Sequence, residues 1–313
     1  MTKSELLKVY EHENIHYVPF FPNDFNVVDN RKMREKGFGG GRDWFGVEWT
    51  YLERENSVTP TPGSILLDDV TKWREKVVFP DLDALDWESM AAGDESGFDR
   101  ERRITYAMLE CGPFERVQSL LGFENALIAH YDEPEAMHEL IDAVTEHRIR
   151  LLHKVMEHYR PEVVCMHDDF GANDSMLLSP SLWREFYKDS VKRLAAETHR
   201  LGAKYEHHSC GFIQPIIGDL AEAGIDALNP LQACNDAREI KRLYGDRLVL
   251  SGGFDNQHVF DNPGSAEEEI RAEVRRVFEI LAPGGGYIAF PMSFSSRSIK
   301  IIADEIEKIR RDY

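Results

Sequence analysis

The sequence is short of positive charge. Its 313 residues carry 37 Lys and Arg against 56 Asp and Glu, a formal net charge of −19. Nucleic acid and anionic membrane surfaces both need a basic footprint, so neither is expected as a partner. Cysteine is scarce too, with four residues at 111, 165, 210 and 234 and no Cys-x-x-Cys pair. In a chain of this length that is no disulfide framework, and the thiols read as reduced. No apolar run approaches the ~18 residues of a membrane span. The opening Met-Thr-Lys-Ser-Glu-Leu-Leu lacks the apolar core of a signal peptide, so a cytoplasmic location is expected. Phosphate-binding signatures are missing as well. The glycine-rich stretch 37–46 is not closed by Gly-Lys-Ser/Thr, and the Gly-x-Gly-x-x-Gly that an open dinucleotide-binding sheet often carries does not occur.

What the sequence does have is a repeated strand-then-helix rhythm from about residue 104 onward. Strands are expected near 16, 104, 163, 204, 225, 248 and 285, seven units with short joints. Amphipathic helices separate them, the longest over 133–159 with Met137, Leu140, Ile141, Val144, Leu151, Leu152 and Val155 on one side. Helix starts are signalled by Ser179-Pro180 and by Ser265 with Glu268. This pattern predicts an α/β fold, a (β/α)8 TIM barrel in one domain over 1–313. Residues 23–103 read as an irregular N-terminal extension within it, a lid or substrate loop with Trp44 and Phe45 as aromatic anchors or as cover for a substrate.

In such a barrel the chemistry lies at the carboxyl ends of the strands. The expected residues there are Glu110, His167-Asp168-Asp169, His208 with Cys210, Asn229 with Gln232, Asp255, and Tyr287. The strand Lys204–Cys210 is the focus. Alternation puts Glu206, His208 and Cys210 on one face, and an imidazole beside a thiolate suits Zn²⁺. Asp168 and Asp169 are consecutive, so one faces the barrel axis and the other caps the following turn. Asp169, Glu110 and Asp255 are the candidate acid–base residues. Asp255 also reads as a turn aspartate, and Glu110 as an ion-pair partner.

Several segments together resemble the uroporphyrinogen decarboxylase superfamily. They are His167-Asp-Asp-Phe-Gly171, Leu178-Ser-Pro-Ser-Leu-Trp183, His208-Ser-Cys-Gly211, Ala227-Leu-Asn-Pro-Leu-Gln232, Gly252-Gly-Phe-Asp-Asn-Gln257 and Pro283-Gly-Gly-Gly-Tyr287. The His-x-Cys-Gly segment is similar to that of the cobalamin-linked methyltransferase branch. That resemblance implies zinc held by His208 and Cys210. The branch's C-terminal Cys ligand has no counterpart in 286–296, so a carboxylate must replace it, with Glu206, Glu110 and Asp169 the candidates. It further implies a methyltransferase of O-demethylase type. Such an enzyme moves a methyl group from a methoxylated, aromatic small molecule to a Co(I) corrinoid on a partner protein. Trp44, Phe45, Asn229, Gln232, Tyr287 and Phe294 would then line the substrate. Two other readings stay open: a decarboxylase-like lyase acting on a carboxylated substrate, and a non-catalytic corrinoid-binding barrel. The base-off cobalamin signature Asp-x-His-x-x-Gly is absent from the chain, so any corrinoid has to be supplied from outside it.

Overall fold

The computed structural model describes residues 1–13, 16–53 and 56–313. Its strands are β1 (Phe25–Val27), β2 (Gly41–Arg42), β3 (Glu48–Leu52), β4 (Ser57–Pro60), β5 (Ile104–Leu109), β6 (Val163–His167), β7 (Lys204–His208), β8 (Ala227–Leu231), β9 (Val249–Gly252) and β10 (Tyr287–Ile288). Seven of them form one parallel sheet in the order β1-β5-β6-β7-β8-β9-β10, while β2, β3 and β4 make a small antiparallel sheet. The large sheet curls toward closure. Phe20 forms a parallel bridge with Ala289 just after β10, and β1, a few residues on from Phe20, pairs with β5. The segment 19–27 therefore spans the gap between the last strand and the second, which gives an α/β barrel-like fold.

That segment departs from the strand expected near residue 16. Pro19 and Pro22 have no N–H to give a ladder, and a regular strand forms only at Phe25–Val27. Two further shifts are local. Tyr187 splits the helical stretch that Ser179-Pro180 begins into Pro180–Phe186 and Lys188–Arg200. Glu269, not Glu268, reaches back to a helix-start N–H, that of Ala266 at 2.6 Å.

The barrel is closed at the amino-terminal ends of its strands. Leu6, Val9 and Tyr10 of the first helical segment pack with Ile104, Tyr106, Val163, Cys165, Ala227, Val249 and Ile288. The carboxyl-terminal ends face the other way and carry the polar residues.

The region 23–103 is more ordered than its sequence suggests. It holds β1 to β4 and the helix Trp87–Glu95, and two fully buried ion pairs fix it to the helix layer. Arg116 meets Asp43 at 2.6 Å, and Arg148 meets Glu35. Asp43 also accepts from Val47 N and Trp49 Nε1, and Arg116 donates to the Glu35 carbonyl. Removing one partner of such a buried pair costs far more than the pair contributes.

Candidate metal centre

Strand register assembles the site. His208 on β7 is the register partner of His167 on β6 and of Asn229 on β8. The two imidazoles stack with centroids 4.2 Å apart and planes 13° from parallel. Asn229 donates through Nδ2 to Ser251 Oγ at 3.0 Å, so its Oδ1 faces His208 Nδ1 at 2.8 Å as an acceptor. His208 therefore carries its proton on Nδ1 and offers a bare Nε2. Glu115 does the same for His167, accepting from Nδ1 at 2.8 Å.

Around His208 Nε2 stand Cys210 Sγ at 3.4 Å and Asp169 Oδ1 at 3.8 Å. Zinc bonds of ~2.0–2.3 Å in a tetrahedron separate ligand atoms by about 3.3–3.8 Å, so these spacings fit one zinc ion. His167, Asp169 and His208 also bring ligand atoms within 4.8 Å of one another. Holding a ligand imidazole by its far nitrogen is the usual outer-shell arrangement of zinc sites. The donor set of imidazole, thiolate and carboxylate matches zinc preference.

Backbone packing sets Cys210 in place. Gly211 has φ +82°, and a Cβ on it would lie 2.3 Å from the Gly171 carbonyl carbon. The turn after Cys210 can therefore lie flat on the turn after Asp169, and Asp169 Oδ1 accepts from Cys210 N at 2.6 Å. Asp168 turns the opposite way. Its carboxylate takes the N–H groups of Phe114 and Glu115 at the start of helix Pro113–Leu121, at 3.2 and 2.9 Å. Of the consecutive pair, Asp169 is the one at the centre.

A charged chain backs the cluster. Lys36 Nζ lies 2.9 Å from Glu110 Oε2 and 3.3 Å from Glu115 Oε1, and Asn30 Nδ2 donates to Glu110 Oε1 at 2.8 Å. Burial would raise the Glu110 carboxyl, but Lys36, His167 and His208 outweigh it and bring it down to about 2. Burial would depress His167, yet the carboxylates, Glu115 foremost, raise it to about 9. His208 is lowered to about 4, first by burial and then by the positive His167 beside it. Burial outweighs all else at Cys210 and pushes its thiol up, with Asp169 adding to the effect.

Other expected site residues lie elsewhere. Glu206 shares the inward face of β7 with His208 but sits a layer deeper, where Tyr106 donates to it at 2.7 Å and Tyr10 at 3.4 Å. Burial raises its carboxyl to about 7. The cluster therefore forms without Glu206. Trp44 and Phe45 belong to the helix layer. Phe45 is buried under the Arg116 guanidinium at 4.2 Å and beside Phe79 and His147, and Trp44 packs edge-on to His147. Tyr287 points outward to Phe278 and donates to the Gly252 carbonyl at 2.8 Å. Asp255 caps the turn after β9, accepting from His258 N at 2.9 Å. Gln232 Oε1 accepts from Gly211 N at 2.5 Å. Phe294 is 65% exposed, on a loop that Asp261 Oδ1 fixes by accepting from Phe294 N and Ser293 Oγ.

Lys36, Asn30 and Glu115 carry no sequence signal that marks them. Lys36 and Asn30 fall in the least periodic stretch, and Glu115 reads as an ordinary acidic residue in a helix first turn. His167 is visible as a strand-end residue, although nothing in the sequence pairs it with Glu115.

Residues 101–291 match the family described as Uroporphyrinogen decarboxylase (URO-D). Among curated proteins, the chain is 25% identical over 179 residues to methylcobamide:CoM methyltransferase MtaA of Methanosarcina barkeri, covering 56% of this chain and 50% of that protein. It is 27% identical over 174 residues to uroporphyrinogen decarboxylase of Coxiella burnetii, covering 55% and 45%. The chain thus spans about half the length of the curated relatives it matches. A solved methyltransferase from Methanosarcina mazei shares the fold over 98% of both chains, with a TM-score of 0.68 at 16% identity. By this match over most of its length, the chain belongs to the uroporphyrinogen decarboxylase (URO-D) family.

Proposed function

We propose that the protein is a zinc-dependent methyltransferase that moves a methyl group from a methoxylated small molecule to the Co(I) corrinoid of a partner protein in the cytoplasm. The observation that carries this reading is the meeting of His208 Nε2, Cys210 Sγ and Asp169 Oδ1 at the open end of the barrel. These three are the proposed ligands. His167, whose ligand atom also lies within 4.8 Å of those of Asp169 and His208, is given the proton-donor role instead because the surrounding carboxylates favour its charged form. All four cysteines are free, as a thiolate ligand requires.

Bound zinc would supply Lewis acidity at the ether oxygen, making the alkoxide a better leaving group. The residues around it have separable tasks. Asn229 and Asp169 hold His208 and Cys210 in place. His167, protonated at neutral pH, is the proton donor to the departing oxygen. Glu110 is too acidic at about 2 to serve as an acid or a useful base, and it acts by holding Lys36 and stabilising the charge on His167. Asp255, which caps its own turn, has no part in the proton transfer. The corrinoid approaches the open mouth, where Phe294 is exposed.

The lyase reading is weaker on the same ground. A substrate bearing several carboxylates needs converging cations, whereas this site holds Glu110, Glu115 and Asp169 around Lys36 and His167. Metal analysis and a methyl-transfer assay test the proposal. One equivalent of zinc is expected, lost in His208→Ala and Cys210→Ser, with methylcorrinoid formed from a methoxylated donor and Co(I) corrinoid protein. A zinc-free protein with full activity would sink it.

A further inference from the structure

Next to the metal cluster is a cavity of about 470 Å³, walled in part by Asn173, Gln232, Asn256 and Gln257. It lies among the loops that leave β6, β8 and β9, and its size falls in the ~300–1,000 Å³ range of small-molecule sites. The Gln232 wall is tied to the cluster through the hydrogen bond to Gly211 N, one residue past Cys210. A ligand seated here would lie beside the turn that carries Cys210.

The chemistry of the walls is one-sided. Four carboxamides line the cavity, each able to donate two hydrogen bonds and accept others while carrying no charge. Asn256 Oδ1 is buried and has no partner within the protein. Asp255 is the one carboxylate on the lining, and the His258 ring lies 3.1 Å from it. Phe254 adds an apolar surface. An aryl ether would displace water from the amides without offering them a hydrogen bond, and Asn256 Oδ1, already buried, would stay unpaired. An anionic ligand would find no Lys or Arg on these walls and would face the Asp255 carboxylate. A ring with hydroxyls on its edge and C–H groups on its face matches both the amides and Phe254. The aromatic walls expected from Trp44 and Phe45 are meanwhile committed to the helix layer.

We infer that this cavity binds the body of the methyl donor, and that the donor is a neutral polyhydroxylated methyl ether of sugar-like character and not an aryl ether. The inference rests on the methyl-transfer reading for the word donor, while the cavity's preference for a neutral polyol stands on its walls alone. Binding is therefore measured apart from transfer. Calorimetry or saturation-transfer NMR on the full chain would compare methyl glycosides and O-methyl inositols with methoxyphenols and methoxybenzoates. The expected result is saturable binding of a polyol ether, weakened at least tenfold in both Asn173→Leu and Gln257→Leu. Thermal midpoints and zinc content of the two variants would report an intact fold. Aryl ethers binding more tightly than every polyol ether, or polyol binding unchanged in both variants, would overturn the inference. With Co(I) corrinoid protein added, polyol binding without methyl transfer keeps the cavity assignment and sinks the reaction. Transfer from aryl ethers alone keeps the reaction and sinks the assignment.

Discussion

His208 donates from Nδ1 to Oδ1 of Asn229 at 2.8 Å, and the two residues are register partners on adjacent strands. The bond selects the tautomer and aims Nε2 at Cys210 and Asp169. Asn229, expected from its sequence position as a substrate contact, is placed to act on a metal at this site through His208. Asn229→Ala should lower zinc affinity about 10–100-fold while leaving the ligands in place. Competition with a chromophoric chelator measures this directly. An affinity equal to that of the unaltered protein would mean that the tautomer is fixed by something else.

Glu206 gives a contrasting prediction. Its carboxyl is bonded by Tyr106 and Tyr10 in the floor of the barrel, so Glu206→Gln should retain the full zinc stoichiometry that His208→Ala loses. Tyr106→Phe should remove a buried hydrogen bond at a cost of about 1–3 kcal/mol in denaturant unfolding, again with zinc retained. Loss of the metal in Glu206→Gln would restore Glu206 to the ligand set.

These two residues show what the sequence can convey. Period-two alternation correctly places Glu206 and His208 on the same face of β7, and the rhythm from residue 104 onward announces a barrel. Alternation carries no depth, however. Only the neighbouring strands reveal that Glu206 lies level with Cys165 while His208 lies level with His167 and Asn229. The choice between Asp168 and Asp169 was likewise open until the close approach of Gly112 let Asp168 reach the helix start; a Cβ on Gly112 would lie 2.4 Å from it. The extension was least legible because long-range ion pairs hold it, and Asp43 and Arg116 are separated by 73 residues.

Those ion pairs bear on stability. Asp43 and Arg116 are both fully buried, so Asp43→Ala leaves a guanidinium with an unmatched charge. The expected loss is about 3–5 kcal/mol, read as a lower denaturant midpoint with an unchanged slope. A loss below 1 kcal/mol would mean that the extension is anchored by its apolar contacts alone.

Acid should loosen the same extension through His147. This imidazole is buried among Trp44, Phe45 and Phe79, with Nε2 3.3 Å from the Pro80 carbonyl and Nδ1 3.1 Å from Arg148. Burial lowers it from 6.5 to about 4. A histidine whose pKa is depressed on folding binds its proton more readily in the unfolded chain. Its contribution is therefore complete above about pH 6.5, declines as pH falls toward 4, and is spent below that. The shift corresponds to roughly 3 kcal/mol at most. Unfolding measured between pH 7.5 and 4 should show a shallower acid loss in His147→Gln than in the unaltered protein, even if the variant is less stable at pH 7.5. Parallel pH profiles for the two proteins would show that His147 titrates alike in the folded and unfolded chains, and the acid sensitivity would then belong to other buried histidines such as His130, which burial also depresses.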